Sequence, residues 1–326
     1  MTILYVIFAL VCGSSLILWL NRYRFACRAE GTLLSLRTQA VSPLGMLDVG
    51  ATFLIWVVLQ LVAMLPTSLL MGLSLDELRD VGSLDAERQL EFGGWVTLSQ
   101  LVATVIVIFW FRYRHQRVEW LGTRRGLRND LLIGCVAALM LLPVVMLIQL
   151  LVTQLIDYTH PTLDSLVKNF NFKSAMWAWV AAVGVAPVSE EFFFRGVLQG
   201  WLQRVYGYSE VSEKWLLGGE LELAEPNTAA FVMSPRLKLI QSWAPIVVTS
   251  LIFAGVHLGQ GPAPIPLFFL SLGLGYLFRQ TGSLLPCVMV HLALNTVSML
   301  ILTLSLTFPE WFPAEAEPVP AFFLFR

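Results

Sequence analysis

The stretch Ala186-Pro187-Val188-Ser189-Glu190-Glu191-Phe192-Phe193-Phe194-Arg195-Gly196 decides the fold of this chain. It lies inside an apolar run, residues 174–205, long enough to cross a membrane. An acidic or basic side chain at the centre of a hydrocarbon layer costs from ~2.5 to above ~10 kcal/mol, depending on the scale. Glu190, Glu191 and Arg195 therefore need partners, water or a chemical task, and polar groups at that depth are functional candidates by default.

The rest of the chain places that run in a bilayer. The 326 residues are 57% hydrophobic and only 13% charged, against roughly 25% charged in a soluble domain. Mean hydropathy is +0.72. The expected fold is all-α: a polytopic membrane protein of about eight transmembrane helices. The runs are 3–20, 50–72, 94–111, 130–156, 174–205, 243–259, 263–279 and 285–307, each near the ~20 residues a helix needs to span the hydrocarbon. The first run lacks the basic n-region of a signal peptide. Val11 precedes Cys12 where a lipoprotein cleavage site wants a small residue, so the run is read as a retained span. Three units are expected: helices 1–173, a core 174–307 with a cytoplasmic insertion at 206–242, and a tail 308–326. The insertion is read as an amphipathic or mobile loop, or as a lid or docking segment beside the site.

Net charge is −1, so no bulk basic field points to nucleic acid. The basic residues instead cluster between spans. Arg22, Arg24, Arg28 and Arg37 follow the first run, and Arg112, Arg114, Arg117, Arg124, Arg125 and Arg128 follow the third. The connection between runs two and three is acidic, as is the tail with Glu310, Glu315 and Glu317 against Arg326. The positive-inside rule then sets both termini outside, and the expected location is a bacterial cytoplasmic membrane. Cys12, Cys27, Cys135 and Cys287 form no C-x-x-C and are read as small packing residues, not as a disulfide framework or zinc ribbon.

Four histidines are present. His115 and His160 fall in connections and are read as solvated, whereas His257 and His291 fall inside the sixth and eighth runs. Glu191 and Arg195 are i,i+4 neighbours with the acid first, the favourable order for an ion pair. Glu190 lies about 100° round the helix, which leaves it for chemistry while Glu191 serves structure; one structural cluster of both acids with Arg195 is the alternative. Pro187 removes a backbone donor and disturbs the carbonyl of Val183, a kink that can admit water. His291 and Asn295 share one face of the eighth run, and two fixed donors there suit a developing oxyanion or, alternatively, an interhelical hydrogen-bond pair. Gly196/Gly200 and Gly255/Gly259 are G-x-x-x-G pairs expected to bring spans five and six close to neighbours.

Glu190-Glu191-x-x-x-Arg195, then Phe253-x-x-x-His257, then His291-x-x-x-Asn295, in order on successive apolar runs, resembles the CAAX-protease and bacteriocin-processing family of intramembrane glutamic endopeptidases. The resemblance covers roughly 174–307. It implies that Glu190 and His257 activate a water, that His291 and Asn295 hold the oxyanion, and that Glu191 and Arg195 brace the helix with Phe253 packed beside the site. It implies no cofactor or metal, and a membrane-associated protein or peptide as substrate. Two other classes compete: a non-catalytic membrane scaffold that binds a partner protein, and a zinc-dependent membrane protease, although H-E-x-x-H is absent. A proton-coupled transporter using Glu190 as relay is a lesser alternative.

Overall fold

The computed structural model describes residues 2–28, 33–34, 42–115, 121–122, 126–155, 170–207, 214–218, 235–308 and 311. Arg37, Arg117, Arg124, Arg125, His160, most of the 206–242 insertion and most of the tail lie outside them. No strand occurs among the described residues. The protein is an all-α, polytopic, integral membrane protein.

Each of the eight apolar runs falls on a helix. The helices are α1 (Thr2–Arg28), α2 (Met46–Leu70), α3 (Leu75–Arg79), α4 (Ala86–His115), α5 (Leu127–Thr153), α6 (172–207), α7 (Lys214–Leu217), α8 (Pro235–Gly255), α9 (Pro264–Thr281) and α10 (Leu284–Thr307). Among the described residues, four helices are long and apolar enough to cross a membrane by themselves: α2, α4 over Glu87–His115, α5 and α10. α8 contributes a shorter apolar stretch, Ser242–Gly255.

α6 is not a uniform helix. It alternates α and π turns: α at Phe172–Trp179, π at Val180–Val185, α at Ala186–Glu191, π at Phe192–Gln199 and α at Gly200–Gly207. The first widening has a visible cause. Ala186 N–H bonds to Ala181 O, five residues back. The same register would pair residue 187 with Ala182 O, but Pro187 has no N–H. The proline thus widens the turn ahead of the two glutamates, where the sequence suggested a disturbed Val183 carbonyl.

Other helices surround α6. α10 runs antiparallel to it, since Leu284 approaches Gly196, Asn295 reaches Ala182 and Thr303 meets Trp179. α9 runs parallel, with Ser271 beside Arg195 and Gly275 beside Gln199. α9 and α10 are joined by a tight turn: Gly282, at φ +63°, donates its N–H to Phe278 O and Ser283 starts α10. A left-handed backbone of this kind ends a helix without a Cβ clash. On the remaining side of α6, Trp56 of α2 stacks on Phe193 and Trp95 of α4 packs on Trp177.

One end of the bundle gathers basic side chains onto backbone carbonyls. Arg114 donates to Leu217 O, Arg204 to Ser42 O and Arg279 to Ser242 O. Asp48 at the start of α2 is buried beside Arg114 and His115. This cluster docks the short α7 of the insertion against the start of α2, where the backbones of Gly45 and Gly218 lie close together.

The glycine spacing works differently from expectation. A Cβ at Gly196 would meet Leu121 at 2.9 Å and Leu284 at 3.4 Å, but Gly255 and Gly259 have nothing within 4 Å. The close approach between α4 and α6 is instead at Gly94, where a Cβ would sit 2.4 Å from Trp177 Cε3. Gly94→Ala is expected to lower the thermal midpoint of the detergent-solubilised protein, as overpacking costs about 1–3 kcal/mol. Gly93→Ala, where nothing lies within 4 Å, should leave the midpoint unchanged or raise it.

Candidate active site

Glu191 is fully buried and touches two partners. Its Oε2 lies 3.1 Å from Arg195 Nε, and its Oε1 lies 2.8 Å from His291 Nδ1. A carboxylate only accepts here, so His291 donates from Nδ1. The Nε approach is close but off the hydrogen-bond line, so it acts as an ion contact. Arg195, also fully buried, donates from Nη2 to Ser271 Oγ at 2.9 Å. Its Cζ sits 4.8 Å from the centroid of the Phe253 ring, a cation–π placement. Nη1 has no hydrogen-bond partner among the described residues.

This geometry sets the register of the bundle. His291 meets Glu191 about two turns into α10, while α6 continues about four turns past Glu191. α6 therefore extends well beyond the start of α10. That removes the depth mismatch that arises if both elements are taken to begin at one membrane surface.

Glu190 stands on the same short α turn, with 6% of its surface exposed against none for Glu191. The difference decides which carboxylate has any outside access. Ser189, the preceding residue, donates to Val185 O at 2.9 Å and lies 3.2 Å from Gln100 Oε1 of α4.

His257 is not inside a helix. α8 stops at Gly255, and His257 lies in the first turn beyond, its N–H bonded to Ala254 O at 3.1 Å. Gly255, Gly259, Gly261 and Pro262 make this stretch a poor helix former. Its ring Nδ1 is 2.7 Å from Phe253 O. A carbonyl only accepts, so Nδ1 carries a hydrogen and donates to it. Phe253 is fully buried between the two histidines, its centroid 5.0 Å from the His257 ring and 6.1 Å from the His291 ring.

Asn295 Nδ2 donates to Ala182 O at 2.7 Å. That carbonyl is the one Pro187 leaves without a donor in the widened turn. His291 and Asn295 are therefore both bonded across to α6, which leaves His291 Nε2 and the second N–H of Asn295 for other partners. Asn295 Oδ1 has no hydrogen-bond partner among the described residues. No group of three or more His, Cys, Asp or Glu side chains among those residues is gathered as a metal site would be.

Ser271, Ala182 and Gln100 were not singled out from sequence. Serine, alanine and glutamine in apolar helices carry no distinctive spacing. The faint signal is that Ser271 and Gly275 on α9 repeat the interval of Arg195 and Gln199 on α6, whose Nε2 donates to Gly275 O at 2.8 Å.

Residues 172–297 match the family model described as Rce1-like, type II CAAX prenyl endopeptidase. That segment is similar to the Rce1-like family. It contains Glu190, Glu191, Arg195, Ser271 and the four later motif residues Phe253, His257, His291 and Asn295. The match supports intramembrane protease activity and a membrane-associated protein substrate in general terms. No curated protein and no solved structure matches the chain.

The Glu191–Arg195 contact can be tested by a double-mutant cycle. Arg195→Met leaves a buried carboxylate without its cation and should cost about 3–5 kcal/mol. Glu191→Gln combined with Arg195→Met should be less destabilised than the sum of the singles. Thermal midpoints in detergent measure both, and additive losses would show that the two side chains are not coupled.

Proposed function

We propose that this protein is a glutamic intramembrane endopeptidase that hydrolyses a peptide bond of a membrane-associated protein or peptide. The observation that carries the reading is the unequal treatment of two adjacent carboxylates. Glu191 is sealed and committed to Arg195 and His291, whereas Glu190 keeps a small opening. A carboxylate must reach a water to act as a general base.

In this mechanism Glu190 takes a proton from a water while His257 Nε2 accepts the other hydrogen and orients it. The water oxygen attacks the scissile carbonyl carbon, and the C=O π electrons move to oxygen. His291 Nε2–H and the free N–H of Asn295 donate to that oxyanion. For His291 to donate from Nε2 with Nδ1 already bonded to Glu191, its ring carries both protons in this mechanism. The tetrahedral adduct then collapses. The C–N bond breaks, and the amine leaves with the proton held by Glu190.

Residues 174–307 form the catalytic core in this reading, with 206–242 an insertion and 1–173 a supporting bundle. The basic end of the bundle faces the cytoplasm and both termini lie outside. Agreement between the arginine-rich connections and the arginines at one end, Arg114, Arg204 and Arg279, supports that orientation.

Glu190→Gln keeps the size of the side chain and removes the base. It is expected to lower turnover by about 10²–10⁴-fold with normal membrane insertion. Mass spectrometry of membrane peptides from cells carrying wild-type or Glu190→Gln copies should show an unprocessed precursor only in the variant. Identical peptide profiles, with the variant replacing the wild type in growth and phenotype, would instead mark a non-catalytic scaffold.

A further inference from the structure

The Arg195 guanidinium has five N–H donors, yet its placement rests on few contacts. Nη2 donates to Ser271 Oγ at 2.9 Å, with Ser271 O at 3.5 Å. Nε makes an off-line ion contact with Glu191 Oε2, and Nη1 bonds to nothing among the described residues. Free of Ser271, such a fork has a better arrangement at hand. It can turn to grip Glu191 with two parallel N–H···O bonds, the preferred geometry of an arginine and a carboxylate. That arrangement occupies both oxygens of Glu191, including the Oε1 that His291 Nδ1 now uses.

Ser271 itself is committed to this role. Buried serines on helices commonly donate to the carbonyl four residues back, as Ser189 and Ser298 do here at 2.9 and 2.8 Å. Ser271, 1% exposed, makes no such bond.

We propose that Ser271 is a positioning residue for His291. By holding Nη2 it keeps Arg195 from closing on both oxygens of Glu191, and so preserves Oε1 as the partner that orients the imidazole. The inference rests on the proposed reading for its effect on turnover, but its effect on the ring of His291 does not depend on that reading.

The test is nitrogen-15 and proton NMR of the full-length protein in detergent, labelled at its four histidines. The His291 signals are assigned by their loss in His291→Asn. Ser271→Ala is expected to shift the Nδ1–H and ring nitrogen resonances of His291 and leave those of His257 in place. Ser271→Thr, which retains the hydroxyl, should restore them. The thermal midpoint of Ser271→Ala should fall less than that of Arg195→Met, because Arg195 and Glu191 remain paired. With the peptide whose precursor accumulates in Glu190→Gln cells as substrate, kcat should drop about tenfold to a hundredfold and KM should hold.

His291 resonances unchanged in a folded Ser271→Ala protein would overturn the proposal. Resonances shifted equally by Ser271→Ala and Ser271→Thr would also overturn it, since volume and not the hydroxyl would then be the cause. If Glu190→Gln accumulates no precursor, the endopeptidase reading fails while the NMR comparison still decides the role of Ser271.

Discussion

A buried carboxylate shared between a guanidinium and an imidazole is the constraint around which the core is arranged. Glu191 and Arg195 have no exposed surface, and both would be costly in an apolar interior without each other. One helix supplies both, at the spacing that stacks them on a single face. It cannot supply the rest. The second carboxylate oxygen needs His291 from α10, the far side of the guanidinium needs Ser271 from α9, and its face needs the Phe253 ring from α8. Three helices must therefore pack on α6 at one level before the ion contact is worth its desolvation.

The second device is backbone chemistry. Pro187 deprives the widened turn of one donor, and the stranded Ala182 carbonyl takes Asn295 Nδ2 instead. Proline is tolerated inside membrane helices where a neighbouring group satisfies the freed carbonyl. Here the neighbour lies one helical turn from His291 on the same face of α10. The hydrogen bond that repairs the backbone thus also fixes how α10 is rotated against α6. His291 and Asn295 are locked to α6 by independent means, one through a carboxylate and one through a carbonyl.

Much of this was legible from residue types and spacing. Eight apolar runs of membrane length read directly as helices. The acid-first interval between Glu191 and Arg195 implied their pairing. Helical geometry alone set the two glutamates about 100° apart. What escaped reading had physical reasons. A π turn is a response of the backbone to Pro187 in its packed setting and has no local pattern, so the shape of α6 was not foreseeable. His257 was assigned to a helix because apolarity continues past Gly255, although glycines and Pro262 favour turns there. The Gly255/Gly259 pair suggested a close helix contact that does not occur, because helical spacing loses its meaning once the helix has ended. Ser271 was invisible because its role exists only through Arg195 on another helix.

The asymmetry between the adjacent glutamates follows from what each can reach. Positions 190 and 191 differ by about 100° in direction, so only one can face the α9–α10 side where Ser271 and His291 lie. That one is neutralised by Arg195 and closed to water. In the proposed reaction this matters for the charge that appears at the oxyanion. Glu191 and Arg195 already balance each other, so a proton on His291 Nε2 would leave the buried group with one unit of net positive charge. An oxyanion supplies the matching negative unit only as the carbonyl is attacked. A group whose one positive unit is matched only when the intermediate forms favours the transition state over the bound peptide. That is a property of the sealed carboxylate, although the open one carries the proton.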